Sequence, residues 1–144
     1  MVDSSKPKGG TWLAIRRWSD EELISLQKQA IATLHKLAPL DVMAFAEAKG
    51  PDILVECLKS LIDSSHSQSL LLPLIQTLIS LSSLPKLQER FGEIGAIEAA
   101  SSILSDPSIG DVVREDAATW ISMLCKANAG NQARFRECNG VDRL

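Results

Sequence analysis

Apolar residues recur at intervals of three and four positions through most of this sequence, which is the spacing of one buried face of an α-helix. The longest stripe is predicted to be buried and consists of Leu23, Leu26, Ala30, Ile31, Leu34 and Leu37. Shorter stripes occupy residues 53–62, 97–104 and 112–124. Residues 70–84 are apolar nearly all round, which indicates a helix with neighbours on most sides. The pattern predicts an all-α fold.

Three apolar helix ends run into a glycine, and each of these hinges starts at a phenylalanine. The residues concerned are Phe45 and Gly50, Phe91 and Gly95, and Phe135 and Gly140. A glycine just past a helix end can take left-handed backbone angles without steric cost, and the phenylalanine is expected on the buried side of the preceding short helix. The glycines are 45 residues apart, and a fixed period of that length is typical of stacked helical repeats.

A second repeated motif lies before the hinges in the chain, around three threonines. Thr33, Thr77 and Thr119 are 44 and 42 residues apart. Residues 30–34 (Ala-Ile-Ala-Thr-Leu) match residues 74–78 (Leu-Ile-Gln-Thr-Leu) most closely. The whole unit is therefore repeated, rather than a single turn.

The predicted repeats span about residues 19–63, 64–106 and 107–144. Each repeat alone leaves an apolar face open, so stacking is expected to supply most of the stability. Burial of one Leu or Ile contributes roughly 1.5–3 kcal/mol. Val141 begins one more apolar helix, truncated at residue 144. We therefore expect this chain to be a piece of a longer solenoid, or to be covered at that end by another chain.

Residues 1–18 form an N-terminal segment that is polar to residue 11 and then becomes apolar around a basic pair. Its aromatic and basic side chains nearest the first helix are Trp12, Arg16, Arg17 and Trp18. One interpretation is a segment that folds back to cover the exposed end of the first helices. The other is a docking strip for a partner, since Trp and Arg are enriched at protein interfaces. Ser19 and Glu22 have the spacing of a capping box at the start of the first helix.

The overall composition fits one helical domain in a reducing compartment. The chain has 144 residues, 45% of them apolar, and a net charge of -3. Its three cysteines form no CxxC pair, which favours a cytoplasmic location, and the sequence shows neither a signal peptide nor a membrane span. The negative charge gives no reason to expect nucleic-acid binding. We expect a soluble protein with no membrane partner.

The residues that could take part in catalysis or metal binding are scattered along the chain rather than clustered. His35 and His66 lie in different repeats without metal-ligand spacing to Cys or carboxylate partners. Cys57 and Cys125 fall on apolar stripes, and nothing near Cys138 marks it as reactive. No phosphate-binding loop or catalytic carboxylate pair is found, so the sequence predicts no enzyme, cofactor, metal or small-molecule substrate. The polar residues 64–69 are interpreted as an inter-repeat loop, with a phosphorylation site as the alternative.

The unit of a capped helix, a short helix ending in Phe and Gly, and a further apolar helix resembles the armadillo repeat over nearly the whole chain. This resemblance implies a right-handed α-solenoid of three-helix repeats. Armadillo proteins of the nuclear-import type carry Trp and Asn on the third helix of each repeat. The corresponding residues 51–62 and 96–105 contain neither. Peptide binding of the nuclear-import kind is therefore not expected.

A closer resemblance covers residues 18–58. It is carried by Trp18-Ser19, Leu26-Gln27, Ala-Ile-Ala-Thr-Leu at 30–34, Ala38-Pro39-Leu40 and Gly50. These positions resemble, without a gap, a segment of the cilia- and flagella-associated protein 69 family. The resemblance implies an armadillo scaffold in a projection on one central-pair microtubule of the motile cilium or flagellum. The implied partners are large axonemal scaffolds of the sperm flagellar protein 2 type.

A solenoid that acts by being bound offers its polar helix faces to partners. We expect the groove along residues 51–62 and 96–105, with Glu56, Lys59 and Glu98, to be the binding face. The N-terminal segment is the second candidate. The alternative to an axonemal scaffold is a cytosolic adaptor that recruits a kinase, a phosphatase or a ubiquitin ligase through the same surface.

Overall fold

The protein is described by a computed structural model for residues 20–63 and 68–138. These ranges contain eight α-helices, one 3-10 helix and no strand. In order they are α1 (Asp20–Leu37), a 3-10 helix (Ala38–Leu40), α2 (Val42–Glu47), α3 (Gly50–Asp63), α4 (Gln68–Leu81), α5 (Pro85–Glu93), α6 (Ala96–Ser105), α7 (Asp111–Cys125) and α8 (Ala129–Glu137). The predicted all-α fold is confirmed for this part of the chain. None of these helices is both long and apolar enough to cross a membrane.

Helices at corresponding places in the chain pack on one another. The long helix α4 lies between α1 and α7, and the short helix α5 lies between α2 and α8. Helix α3 packs on α6, and each of these two also packs on the long helix that follows it, α4 or α7. The chain therefore advances by three helices from one layer to the next.

The core is centred on α4, which has α1, α3 and α7 around it. Leu72 and Ile79 are half-buried. Its other large apolar side chains are at most 2% exposed, and they are Leu70, Leu71, Leu74, Ile75, Leu78 and Leu81. The prediction that this helix is buried on most sides is confirmed. Trp120 of α7 completes the core next to α4 and meets the Phe91 ring edge-on, with 6.3 Å between the ring centroids.

The stripe predicted to be buried in α1 is mostly exposed, so this expectation was wrong. Only Ile31 is buried, and Leu34 is half-buried. Leu26 and Leu37 are 48% and 55% exposed. The physical reason is that α1 packs on α4 alone among the long helices, whereas α4 has another helix on each side. Ser19 of the predicted capping box lies outside the described residues.

The glycine hinges also differ from the prediction. In the first hinge Lys49 takes the left-handed conformation, with φ of 62°, and Gly50 is already the first residue of α3. Gly50 is needed for a different reason, because a Cβ there would overlap the Phe45 ring. In the second hinge Gly95 has the left-handed φ of 96°, as predicted. Both left-handed residues follow their phenylalanine by four positions.

The hinge phenylalanines are buried to different extents. Phe91 is fully buried, whereas Phe45 and Phe135 are half-buried. Phe91 belongs to α5, which has a short helix on each side, while the other two rings lie in the outer layers. Gly140 and the helix expected from Val141 lie outside the described residues.

Candidate interaction surface

Helices α3 and α6 lie side by side, and each turns one polar stripe to the solvent. The exposed residues on α3 are Ile53, Glu56, Lys59, Ser60 and Asp63, and those on α6 are Glu98, Ser102 and Ser105. We call these eight residues the α3–α6 face. It contains Glu56, Lys59 and Glu98, the three residues that the sequence placed on the binding face. All three are exposed on two adjacent helices, and their part in binding stays a prediction.

Lys59 links α3 to the hinge that precedes α6. Its ammonium group donates a hydrogen bond to the backbone carbonyl of Ile94, 3.5 Å away, at the C-terminal end of α5. A positive charge is favourable at a helix C-terminus, where carbonyl groups lack partners within the helix. The absence of a side chain at Gly95 leaves room for it, since a Cβ there would lie 3.2 Å from Lys59 Nζ. Lys59 therefore points to the hinge before α6.

An ion pair connects α3 to α5. Arg90 of α5 donates to both carboxylate oxygens of Asp52, from Nη2 at 2.7 Å and from Nε at 3.3 Å. The hydrogen bond with Asp52 raises the pKa of the Arg90 guanidinium, and the charges of Asp52 and Glu93 add to this effect. Both side chains are partly exposed, so the pair orients α3 against α5 more than it stabilises the fold.

The charge and shape of the α3–α6 face define what it can bind. Glu56, Asp63 and Glu98 are exposed carboxylates, while the one cation of the face, Lys59, is turned towards a carbonyl. Ser102 and Ser105 donate to carbonyl groups of their own helix at 3.0 Å, so their short side chains stay close to the helix and do not project into the solvent. Such a face favours a partner that brings basic or hydrogen-bond-donating side chains.

The other predicted interaction residues, Trp12, Arg16, Arg17 and Trp18, lie outside the described residues. His35 is half-buried and faces Thr77, with 3.3 Å between Nδ1 and Oγ1, in a cleft of about 250 Å³ between α1 and α4. In residues 20–63 and 68–138 no three His, Cys, Asp or Glu side chains are placed to share a metal ion.

A second cleft lies at the far end of the described fold. It has a volume of about 230 Å³ between α6, α7 and α8, and its apolar lining includes Leu104, Ile121, Cys125 and Phe135. Burial raises the pKa of the Cys125 thiol, and nearby Cys138 raises it further. Burial likewise raises the pKa of the Cys57 thiol. A raised pKa lowers the thiolate fraction and so makes both thiols poor nucleophiles.

Sequence reasoning missed a buried polar cluster that joins α5, α7 and α8. Asn131 is fully buried and donates from Nδ2 to the carbonyls of Leu124, at 2.7 Å, and Gln88, at 3.1 Å. The Gln88 side chain donates to the carbonyls of Met123, at 2.9 Å, and Lys126, at 2.7 Å. Together they satisfy carbonyl groups at the C-terminal end of α7 that have no partner within the helix.

One signal of this cluster was present in the sequence. Asn128 and Asn131 have the spacing of a helix N-cap, and the Asn128 side chain does accept from Asn131 N at 2.9 Å. Nothing in the local pattern marks Gln88, which lies 43 residues before Asn131. Gly92 is equally hidden in the sequence, because its role is to leave room for the Asn131 side chain.

No protein-family model matches the chain, and a comparison with curated proteins gives no match.

Proposed function

We propose that this chain is a non-enzymatic protein-interaction scaffold, built as a right-handed α-solenoid of armadillo-like three-helix repeats. In this proposal α1, α2 and α3 form the first repeat, and α4, α5 and α6 form the second. Helices α7 and α8 belong to the third. The function of such an array is to hold other proteins along its elongated surface.

The observation that carries the proposal is the advance of the packing by three helices. The series α1–α4–α7, α2–α5–α8 and α3–α6 each place corresponding helices in contact. A closed helical bundle would instead return its last helices to the first. Nearest-neighbour packing leaves one face of each helix series open to the solvent, and in the α3–α6 series this face is polar.

The partner-binding surface in this proposal is the α3–α6 face. Glu56 and Glu98 are exposed there on neighbouring helices. Carboxylates at the rim of an interface steer a basic partner and set its register more than they add affinity. We expect partners whose contacting segment is basic.

The cellular setting that we propose is the axoneme of motile cilia and flagella, in a central-apparatus projection on a central-pair microtubule. It rests on the resemblance of residues 18–58 to the family of central-apparatus scaffolds. The partners would then be other large axonemal scaffolds within that projection, rather than nucleic acid, membrane or a small molecule.

Localisation and deletion test the setting. The full-length protein is expected along the axoneme of motile cells, and its deletion is expected to disturb the central pair. Diffuse cytosolic staining with intact central pairs would contradict the axonemal role. Co-purification with a kinase, phosphatase or ubiquitin ligase from cells without cilia would favour a cytosolic adaptor instead.

Cross-linking from isolated axonemes tests the binding face. The charge-reversing pair Glu56→Lys and Glu98→Lys is expected to reduce partner recovery, because it inverts the sign of the face. Glu115→Lys is the matched control, since Glu115 is an exposed carboxylate on α7, away from this face. Equal recovery with all variants would show that partners use another surface.

A further inference from the structure

Helix α1 carries most of the exposed apolar side chains that lie on a helix in the described part of the chain. Leu23, Leu26 and Leu37 are 37%, 48% and 55% exposed, and Ala30 between them is exposed as well. With the half-buried Leu34 they follow a spacing of three and four residues, so they share one face of the helix. We call these five residues the α1 stripe. Single exposed apolar residues are common, but a contiguous stripe marks an interaction surface.

The rest of the fold shows that a helix covers such a stripe. Residues 26, 30 and 37 of α1 match Leu70, Leu74 and Leu81 of α4, which lie 44 positions later and are at most 2% exposed. Helix α3 packs on α4, and α6 packs on α7 in the same way. No helix of the described residues has this place on α1. The α1 stripe is therefore suited to bind a helix.

The α1 stripe is complementary to itself when two copies of α1 run in opposite directions. Leu23 and Leu37 lie seven residues to either side of Ala30, and Leu26 and Leu34 lie four residues to either side. A contact about a two-fold axis pairs residue i of one copy with residue j of the other, and j with i. An axis at Ala30 therefore places leucine opposite leucine in four layers. The small alanines meet at the centre, where they let the two helices approach closely.

The charges beside the α1 stripe favour the same antiparallel arrangement. Glu22 directly precedes Leu23 and Lys36 directly precedes Leu37, and both charged side chains are exposed. Around an axis at Ala30, Glu22 of one copy comes within two residues of Lys36 of the other, about 3 Å along the helix. This approach of opposite charges occurs twice in the pair. A parallel arrangement would instead bring like charges together, which is unfavourable.

We propose that the α1 stripe binds a second copy of this chain, with the two α1 helices packed antiparallel about a two-fold axis at Ala30. Helix α1 has 18 residues and is therefore about 27 Å long. A contact along its whole length would bury roughly 500 Å² per copy and roughly 1,000 Å² in total, which is close to the lower limit for a specific interface. The dimer is therefore reversible and depends on the protein concentration.

Sedimentation equilibrium of the 144-residue chain tests the association. The chain is expected to change from monomer to dimer as its concentration is raised. Leu26→Glu is expected to weaken the dimer at least about tenfold, because each copy then buries a carboxylate against Leu34 of the other. Val112→Glu is the matched control, since Val112 is a similarly exposed apolar residue on α7, and it should leave the association unchanged.

A second variant tests the charges and does not alter the apolar contact. Lys36→Glu places a carboxylate near Glu22 of the other copy and is expected to weaken the dimer by up to about fivefold. Circular dichroism confirms that all three variants keep their helices.

Engineered disulfides test the direction of the helices. In the antiparallel dimer, position 23 of one copy lies opposite position 37 of the other. Two like positions are separated by about 14 residues, or about 21 Å, which is too far for a disulfide. An equimolar mixture of the Leu23→Cys and Leu37→Cys variants under mild oxidation is expected to form the 23–37 disulfide, mapped by mass spectrometry. Each variant alone is expected to form no disulfide at its new cysteine.

Three results would overturn the inference. A chain that stays monomeric at every concentration would leave the α1 stripe for another protein. A dimer of undiminished affinity in Leu26→Glu would show that the two copies meet elsewhere. Disulfides between two like positions would show that the helices run parallel. None of these results bears on the axonemal setting or on the α3–α6 face, to which α1 contributes no residue.

Discussion

Helices α1 and α4 carry the same apolar pattern, yet only α4 is buried. The side chains at positions 70, 74 and 81 of α4 are inaccessible to solvent or nearly so. The matching positions of α1, 44 residues earlier, are Leu26, Ala30 and Leu37, and all three are exposed. The difference lies in the neighbours: α4 has a helix on each side, and α1 has α4 on one side. An apolar stripe therefore specifies which face can be buried, and the number of layers specifies whether it is.

The contacts between adjacent layers, here called the first and second joints, also differ in how deeply their polar groups are buried. The first joint connects residues 20–63 with 68–105, and its polar contacts, His35 to Thr77 and Arg90 to Asp52, are part-buried. The second joint connects residues 68–105 with 111–138. Its contact from Asn131 to Gln88 is also part-buried, but the hydrogen bond from Trp120 Nε1 to Ser82 Oγ, 2.8 Å long, joins two buried side chains. Polar contacts away from water contribute more, because leaving either partner unpaired there is costly.

The largest difference is expected from truncating leucines in the two regions. Leu78→Ala removes a fully buried side chain of α4 and should lower the free energy of unfolding by about 2–5 kcal/mol. Leu40→Ala should lower it by less than about 0.5 kcal/mol, because Leu40 is 79% exposed. Urea unfolding followed by circular dichroism measures both. Equal losses would contradict the contrast in burial.

A methyl group added at Gly92 tests the close packing of the second joint. Gly92→Ala should cost about 1–3 kcal/mol, because the new Cβ overlaps Asn131 Oδ1 and must displace that buried side chain. Gly110→Ala is the matched control, since a Cβ there has no neighbour within 4 Å, and it should change stability by less than about 0.5 kcal/mol. If both variants unfold at the same urea concentration, the second joint is looser than described.

Removing one polar side chain from each joint compares them directly. Asn131→Ala should cost about 1–3 kcal/mol, because the carbonyls of Gln88 and Leu124 lose their donor. His35→Ala should cost less than about 0.5 kcal/mol, since the buried Thr77 hydroxyl still donates to the Pro73 carbonyl. Thermal unfolding ranks the two, and a larger effect at His35 would reverse the ranking of the joints.

The two left-handed hinge residues should respond in opposite directions. Lys49→Gly relieves a positive φ and is expected to stabilise the protein by up to about 1 kcal/mol. Gly95→Ala introduces the same strain and should destabilise by about 1 kcal/mol. The midpoint of urea unfolding measures both changes. A shift in the same direction for both would show that backbone strain does not govern the hinges.

The smallest effect concerns the half-buried thiols of the two regions, Cys57 and Cys125. Burial raises the pKa of Cys57 and Cys125, so each is mostly protonated at neutral pH and should react with iodoacetamide more slowly than in the urea-unfolded chain. The rate should increase as the pH is raised, because the thiolate is the reactive form. Peptide mapping over a pH series measures each cysteine. Native rates equal to unfolded rates at neutral pH would contradict their burial.

Local patterns predicted the helices and the second hinge because those depend on residues close in the chain. The spacing of apolar residues identified α4 as a helix with neighbours on most sides, and Gly95 was correctly assigned its left-handed turn. Lys49 was missed because the adjacent Gly50 offered the usual signal one position away. The exposure of Glu56, Lys59 and Glu98 on the interaction surface was predicted, because they lie between the apolar positions that form the buried stripes of those helices.

What the sequence could not predict depends on residues far apart in the chain. Gln88 meets Asn131 across 43 residues, and neither position has an apolar period that marks it as buried. The exposure of Leu26 was missed for the same reason, because a stripe carries no information on the number of layers around it. Such features follow from packing between layers of helices rather than from any one layer.

The unequal joints give the protein a preferred breaking point under mechanical load. If the proposed axonemal setting holds, the protein is pulled along its length, and the force passes through the three layers in series. Separation would start where α1 and α2 meet α4 and α5, because water already reaches the polar contacts there. The layers joined by the buried Trp120–Ser82 hydrogen bond and by Asn131 to Gln88 would stay together longest. Stretching would therefore separate the layer that contains α1 and α2 from the rest of the protein first.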